Sequence, residues 1–243
     1  MLRIDFVTLF PETVLSAVRF SILKRAEENS LVAFGTANPR DFATDRHRTV
    51  DDEPYGGGPG MVMKAETTAA AIEAVVSRQP PVAGRQSFII FPDPAGELFR
   101  QADAAELSRK DHLVFVCGHY EGIDERVVEK YADRRYSLGD YVLSGGELAA
   151  AVMADAVVRL LPGAVGAPES LEEDAFADGL LTYPQYTRPE VWEGRRAPEV
   201  LLSGDHARVA DWRRRQRLLA TRERRPDLFA RADLSTGDLD LLK

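Results

Sequence analysis

Short apolar runs that end in glycine-containing loops constrain the fold of this chain most strongly. Ser87–Phe91 and His112–Cys117 are apolar on both faces, and each is followed by a loop and then by a helical pattern. Strands of this kind are typical of a central parallel sheet with helices on both sides. An earlier strand is predicted at Leu2–Phe10, with a helix beginning at Pro11. The pattern predicts an α/β domain.

The remaining elements continue the alternation of strands and helices. Further strands are predicted at Leu31–Thr36 and Arg135–Leu138, and helices at Ala65–Val76, Asp124–Asp133 and Glu147–Leu161. Residues 163–179 are small and acidic without periodicity, which favours a flexible linker. We therefore expect an α/β domain at residues 1–162 and a helical, arginine-rich domain at residues 180–243.

The composition excludes several classes of protein. With 243 residues, 44% of them hydrophobic, the chain can bury a sizeable core. Its single cysteine, Cys117, rules out an intramolecular disulfide framework, and its four histidines have no paired metal-ligand spacing. No segment approaches the roughly 18 apolar residues that a membrane span needs. We therefore expect a cytoplasmic protein with no membrane partner and no dedicated metal site.

The charges are segregated, although the net charge is −8. Residues 206–231 contain nine arginines and three acids, whereas residues 163–179 contain five acids and neither Lys nor Arg. A basic helix beside an acidic linker favours a polyanionic partner held at one end of the chain. A solvated helix with scattered salt bridges would explain the arginines equally well.

Four loops with glycines are predicted at the carboxyl ends of strands, where open parallel sheets bind ligands. They are FPDPAG at 91–96, CGHYEG at 117–122, LGDY at 138–141 and LSGGEL at 143–148. None matches the fingerprint of a dinucleotide fold or of a P-loop. Any one loop could be a simple turn, but together they favour a small ligand gripped by main-chain groups. Tyr120 and Tyr141 could stack on it, and Leu138 and Leu143 could line its pocket.

The block at residues 45–61 mixes charges with flexible backbone. Arg46, His47 and Arg48 are followed by Asp51, Asp52 and Glu53 and then by the sequence YGGGPGM. The block could be a mobile surface loop, but it also suits a lid over a nucleotide substrate, with arginines on phosphates and carboxylates on base edges.

These motifs resemble those of the bacterial tRNA (guanine-N1) methyltransferase family of the SPOUT superfamily, over nearly the whole chain. DRHRTVDD, PYGGGPGM, CGHYEGIDERV, LGDYVLSGGEL, YTRPEVWEG and PEVLLSGDH occur in the family's order. The resemblance implies S-adenosylmethionine-dependent methylation of N1 of guanosine 37, immediately 3′ of the tRNA anticodon. It also implies a SPOUT-type trefoil knot in the first domain and a homodimer whose active sites combine two subunits.

The resemblance also implies site residues. The cofactor pocket would be formed by Phe91, Pro94, Gly118, Tyr120, Glu121, Gly122, Leu138, Gly139, Tyr141, Leu143, Gly145 and Gly146. The substrate-binding block would comprise Arg46, His47, Arg48, Asp51, Tyr55, Gly57 and Gly58. Asp174 matches the catalytic base and Arg159 a catalytic arginine. A magnesium dependence is also implied, without a dedicated protein cage. Pro92, Asp93 and Thr182 depart from the pattern of some relatives.

The chemistry of guanine explains why the reaction would need a carboxylate such as Asp174 and a guanidinium such as Arg159. N1 carries a proton that must leave before the nitrogen can attack a methyl group, and Asp174, beside Glu172 and Glu173, could accept it. Arg159 could stabilise the charge that develops on O6. The alternatives are an exposed linker acid and an arginine that complements a helix dipole. For the whole chain, the alternatives are a SPOUT enzyme acting on another RNA position and a non-catalytic RNA-binding dimer.

Overall fold

The computed structural model describes residues 1–78, 86–166 and 174–243. The chain divides into two compact units, Met1–Gly166 and Ala167–Lys243. In the described ranges, no helix is both long and apolar enough to cross a membrane. The first unit confirms the predicted α/β architecture with a parallel central sheet.

The central sheet of the first unit has five parallel strands. The strands of this unit are β1 (Leu2–Val7), β2 (Val32–Ala37), β3 (Asp51–Asp52), β4 (Val62–Met63), β5 (Ser87–Leu98), β6 (His112–Val116) and β7 (Arg134–Ser137). The sheet order is β2-β1-β6-β5-β7, and β3 and β4 form a separate antiparallel pair. β6 is buried along its whole length, as expected for a strand covered on both faces.

Helices cover both faces of the sheet. They are α1 (Pro11–Val18), α2 (Ser21–Glu28), α3 (Ala65–Val76), α4 (Gln101–Leu107), α5 (Glu125–Tyr131) and α6 (Glu147–Val158). One core joins Phe6 and Phe115 of the sheet to buried residues of α1, α2, α4 and α6. The other core joins Val114 and Val116 to α3 and α5. Alternate residues of β6 therefore pack into opposite cores, which fixes the register of the strand.

Two predicted elements differ from the structure. The helix predicted from Pro11 is two helices, because Ser21 has a positive φ of 47° at the start of α2. The segment predicted as the loop FPDPAG belongs to β5, which continues to Leu98. Its pairing with β7 shifts between Pro92 and Glu97. A proline cannot donate a ladder hydrogen bond, so this stretch forms an irregularity within the strand.

The second unit contains a short hairpin in addition to helices. The hairpin strands are β8 (Val191–Trp192) and β9 (Arg195–Arg196), and the helices are α7 (Glu199–Leu202), α8 (His206–Arg224), α9 (Pro226–Phe229) and α10 (Thr236–Leu241). Glu193 and Gly194 both have positive φ, as a two-residue hairpin turn requires. The sequence analysis predicts a mainly helical domain here and did not identify this short hairpin.

The arginines of α8 fall into two groups. Arg214 and Arg217 both form ion pairs with Asp178, at 2.7 and 2.5 Å, and Arg217 is 8% exposed. Arg222 and Arg224 are exposed. Only part of the basic charge of this helix is therefore available to a polyanionic partner.

Candidate active site

A cavity of about 400 Å³ opens at the carboxyl ends of β6 and β7, beside the irregular stretch of β5. Its volume lies within the range of small-molecule sites. All the residues predicted for the cofactor pocket lie on its wall, together with Pro92 and Asp93. The structure thus brings together residues that are up to 55 positions apart in sequence, from Phe91 to Gly146.

The loop after β6 makes a tight turn around the cavity. Tyr120 and Gly122 have positive φ values of 59° and 125°, and the Gly122 N–H donates to the carbonyl of His119 at 3.0 Å. A Gly at 122 adopts this conformation without the strain that other residues meet there. The turn leaves Tyr120 half-exposed beside the cavity, where its ring can contact a ligand.

Gly146 brings the start of α6 against the loop that follows β6. Its N–H donates to the carbonyl of Gly118 at 2.9 Å. A Cβ built on Gly146 would lie 2.8 Å from the Cα of Cys117, which is too close for any other residue without a backbone shift. The absence of a side chain here therefore lets two walls of the cavity meet.

The cavity wall is acidic. Asp93, Glu121 and Glu125 line it, and none of the described residues on the wall is a lysine or arginine. Among the same described residues, His119 is the one basic side chain of the wall. Such a wall suits a cationic or neutral ligand and disfavours a phosphate group, because like charges repel. In the described ranges, no group of three or more His, Cys, Asp or Glu residues is arranged to hold a metal ion.

A buried carboxylate behind the wall was missed by the sequence analysis. Glu147 is 6% exposed, and its two oxygens lie 2.6 Å from Thr8 Oγ1 and 2.7 Å from His119 Nε2. Burial, with the charge of Glu147 as a second cause, raises the pKa of Cys117 well above its usual value, so this thiol stays protonated. Only the tertiary fold joins Thr8, His119 and Glu147, so sequence spacing gave no sign of the contact.

The predicted lid is joined to the cavity at its carboxyl end. The Glu121 N–H donates to Met61 O at 2.9 Å, and the Met63 N–H donates to Gly122 O at 2.9 Å. The side chain of Glu121 also lies against Gly60, where a Cβ would be 2.3 Å from Oε1. A movement of residues 45–61 would therefore displace the cavity wall at Glu121 and Gly122.

The other predicted substrate residues lie along this lid. Asp51 is in β3, paired with Met63, and Tyr55 is 98% exposed. Gly57 and Gly58 have positive φ and open space around them. The turn with Arg46, His47 and Arg48 is held by Asp45, which accepts hydrogen bonds from the His47 and Thr49 N–H groups. The structure places all seven predicted substrate residues on one segment, outside the cavity wall.

The two predicted catalytic residues belong to different compact units. Arg159 follows the last residue of α6, in the first unit, and is not among the residues that line the cavity. Asp174 lies in the second unit, where its carbonyl accepts a hydrogen bond from the Ala177 N–H. Thr182 is exposed. Glu172 and Glu173 lie outside the described residues.

Comparison with known proteins shows the family. The sequence model described as tRNA (Guanine-1)-methyltransferase TrmD matches residues 2–231. A protein of Chloroflexus aggregans named tRNA (guanine-N(1)-)-methyltransferase is 54% identical, over 99% of this chain and 94% of the relative. Proteins with the same name from Geobacter sulfurreducens and Moorella thermoacetica are 52% and 50% identical, over 99% and 100% of this chain and 96% of each relative. The chain therefore belongs to the tRNA (guanine-1)-methyltransferase family of enzymes.

Proposed function

We propose that this enzyme uses S-adenosylmethionine to methylate N1 of guanosine 37 in tRNA. The acidic, glycine-rich cavity is the observation that carries the proposal. S-adenosylmethionine bears a positive sulfonium and a positive ammonium group, both of which suit a wall that holds Asp93, Glu121 and Glu125. When bound, it supplies an electrophilic methyl carbon, so the protein has mainly to align that carbon with the guanine.

In this mechanism, Asp174 removes the N1 proton of guanine and Arg159 stabilises the negative charge that develops on O6. A carboxylate within hydrogen-bond reach is a sufficient base for this step. A guanidinium near O6 acts more strongly on the transition state than on neutral guanine. Because the reaction needs no Lewis acid at the methyl group, magnesium acts through the RNA or through surface carboxylates rather than through a dedicated protein site.

The RNA substrate is held by three parts of the chain. The lid residues contact the anticodon loop, residues 163–179 form the linker that carries Asp174, and residues 180–243 form the tRNA-binding domain. The exposed Arg222 and Arg224 support this role, because guanidinium groups at the surface bind phosphates. The acidic remainder of the chain keeps non-specific RNA binding weak.

The active form is a homodimer with a knotted first domain. The contact of Gly146 with Gly118 supports the knot, because it brings the chain after β7 back against the loop after β6. Leu148 and Val152 support the dimer: they lie four residues apart on α6 and are 58% and 52% exposed. An exposed apolar stripe on a helix favours burial against a second copy. The proposed location is the cytoplasm, where tRNA is modified.

Transfer of a labelled methyl group tests the proposal directly. Unmodified tRNA with guanosine at position 37 is incubated with enzyme and labelled S-adenosylmethionine, and the product nucleosides are separated. We expect 1-methylguanosine from this tRNA and none from a matched tRNA with adenosine at that position. Methylation of the variant tRNA would move the target to another RNA position, and donor binding without any product would favour the non-catalytic alternative.

A further inference from the structure

His119 is held on the cavity wall by a chain of hydrogen bonds. Its Nε2 lies 2.7 Å from one oxygen of Glu147, and Thr8 Oγ1 donates to the other oxygen at 2.6 Å. Thr8 Oγ1 itself accepts a hydrogen bond from the Phe10 N–H at 2.9 Å, so its own proton is directed to Glu147. A carboxylate at Glu147 accepts at both oxygens, so the proton of this contact is assigned to Nε2 of His119.

Packing fixes the imidazole in this position. The ring centroids of His119 and Phe10 are 4.8 Å apart. A Cβ on Gly145 would lie 2.3 Å from His119 Nε2, so the imidazole occupies space that only a glycine leaves open. With Nε2 engaged by Glu147, the second ring nitrogen, Nδ1, is the one left to contact a ligand, and in a doubly protonated imidazole both ring nitrogens are donors.

The charges of the cavity give this imidazole a specific partner. The proposed donor carries one anionic group, the carboxylate of its amino-acid end. Asp93, Glu121 and Glu125 repel a carboxylate, and His119 is the one basic residue among the described residues of the wall. We propose that His119 binds the carboxylate of the methyl donor, and that Glu147 and Thr8 are positioning residues that hold its imidazole. This assignment rests on the proposed function.

Binding of two donors that differ only in the carboxylate tests the assignment. The affinities of S-adenosylmethionine and decarboxylated S-adenosylmethionine are measured by calorimetry, without RNA. We expect the wild-type enzyme to bind the first more tightly, and His119→Gln to weaken only that complex, by about tenfold, as for a lost charge-assisted hydrogen bond. His206→Gln, at an exposed histidine of α8 outside the cavity, is the matched control and should change neither affinity.

The hydroxyl of Thr8 provides a second test, at a residue that is not among those lining the cavity. Thr8→Val removes the donor to Glu147 at nearly constant volume, whereas Thr8→Ser keeps it. We expect Thr8→Val to weaken binding of S-adenosylmethionine selectively and Thr8→Ser to retain it. Nitrogen-15 shifts of His119 should report a protonated Nε2 in the free wild-type enzyme, and thermal unfolding without donor measures any general loss of structure.

The possible failures can be told apart. Equal affinity of the wild-type enzyme for the two donors, or an equal loss on both in His119→Gln, would overturn the carboxylate contact and leave the proposed function standing. Equal binding by Thr8→Val and Thr8→Ser would remove Thr8 as a positioning residue. If the folded wild-type enzyme bound neither donor, the proposed function would itself be wrong, and this assignment with it.

Discussion

Asp174 is the residue on which proton removal depends in the proposed mechanism. We expect Asp174→Ala to lower turnover by at least about a hundredfold, as for the loss of a general base. Donor affinity should be unchanged, because Asp174 acts on the guanine in the proposed mechanism and is not among the residues that line the cavity. Single-turnover methylation and calorimetry measure the two quantities. Full turnover in the variant would remove Asp174 from the mechanism.

Gly146 allows a second prediction about a single residue. Gly146→Ala should lower both donor affinity and thermal stability, because its Cβ would meet the backbone of Cys117 at 2.8 Å. Overpacking of this kind costs about 1–3 kcal/mol. Gly166→Ala is the control, since it has open space around its Cβ position and no positive φ. Equal behaviour of the two variants in calorimetry and thermal unfolding would contradict this steric account.

The sequence predicted the residues of the cavity wall, but it did not predict the hydrogen bonds of Glu147 behind that wall. The pocket residues could be predicted because their glycines and tyrosines occur in compact motifs after strands. Glu147 gave no such signal, because an acid in the first turn of a helix is common and favourable anywhere. Its contacts with Thr8 and His119 link residues 8, 119 and 147, which only the folded sheet brings together.

At the scale of elements, Asp5 joins the end of α3 to the sheet. This fully buried acid of β1 lies 2.9 Å from His112 Nε2 and 3.0 Å from Arg78 Nη1, and Arg78 also donates to Thr36 O. Burial raises the pKa of Asp5, but the hydrogen bonds from His112 and Arg3 outweigh it, so the pKa lies below its usual value.

This lowered pKa predicts how stability depends on pH. The stabilisation by Asp5 is fully present above the pKa of an unfolded Asp, about 3.9, and is lost as the pH falls through the lower folded value. Asp5→Asn should lower the unfolding free energy at pH 7 by about 2 kcal/mol, less than for a fully buried ion pair. Urea unfolding between pH 2 and 7 should show the acid-dependent loss of stability diminished in the variant. An unchanged pH profile would contradict the role given to Asp5.

The two groups of arginines on α8 should respond differently to substitution. Arg222 is exposed, and Arg217 is paired with Asp178. We expect Arg222→Gln to reduce the salt slope of tRNA binding by about one and to leave stability unchanged. Arg217→Gln should lower the thermal stability of the second unit. Filter binding over a range of salt concentrations measures the first effect, and thermal unfolding measures the second. A loss of stability in Arg222→Gln and an unchanged stability in Arg217→Gln would contradict the division of these arginines into two groups.

Elements with their own periodicity were predicted best. The alanine-rich helix Ala65–Val76 has the predicted bounds, because its spacing alone favours a helix. The extension of β5 through Pro92 and Pro94 was not predicted, since prolines normally interrupt a strand and the pairing resumes only through contact with β7. The hairpin in the second unit has strands of two residues each, too short for a pattern.

At the scale of the whole molecule, the proposed sharing of each active site between two subunits predicts that two inactive variants regain activity when they form a mixed dimer. A monomeric enzyme would show no such gain. Asp174→Ala and Gly146→Ala should each be nearly inactive as pure dimers, the first for lack of a base and the second for lack of a donor cavity. A mixed dimer holds one intact site if the cavity of one subunit works with Asp174 of the other. Refolding equal amounts together should therefore restore about a quarter of the wild-type activity, since half of the dimers are mixed.

The apolar stripe on α6 provides the control for this experiment. Val152→Glu places a charge at the centre of the proposed contact, where its desolvation opposes association. Added to both subunits, it should give a monomer by light scattering and abolish the regained activity. Leu239→Glu, at a residue that is also 52% exposed, should do neither. Wild-type activity in a Val152→Glu monomer that carries neither of the other substitutions would place the whole active site in one subunit, and no regain in stable mixed dimers would do the same.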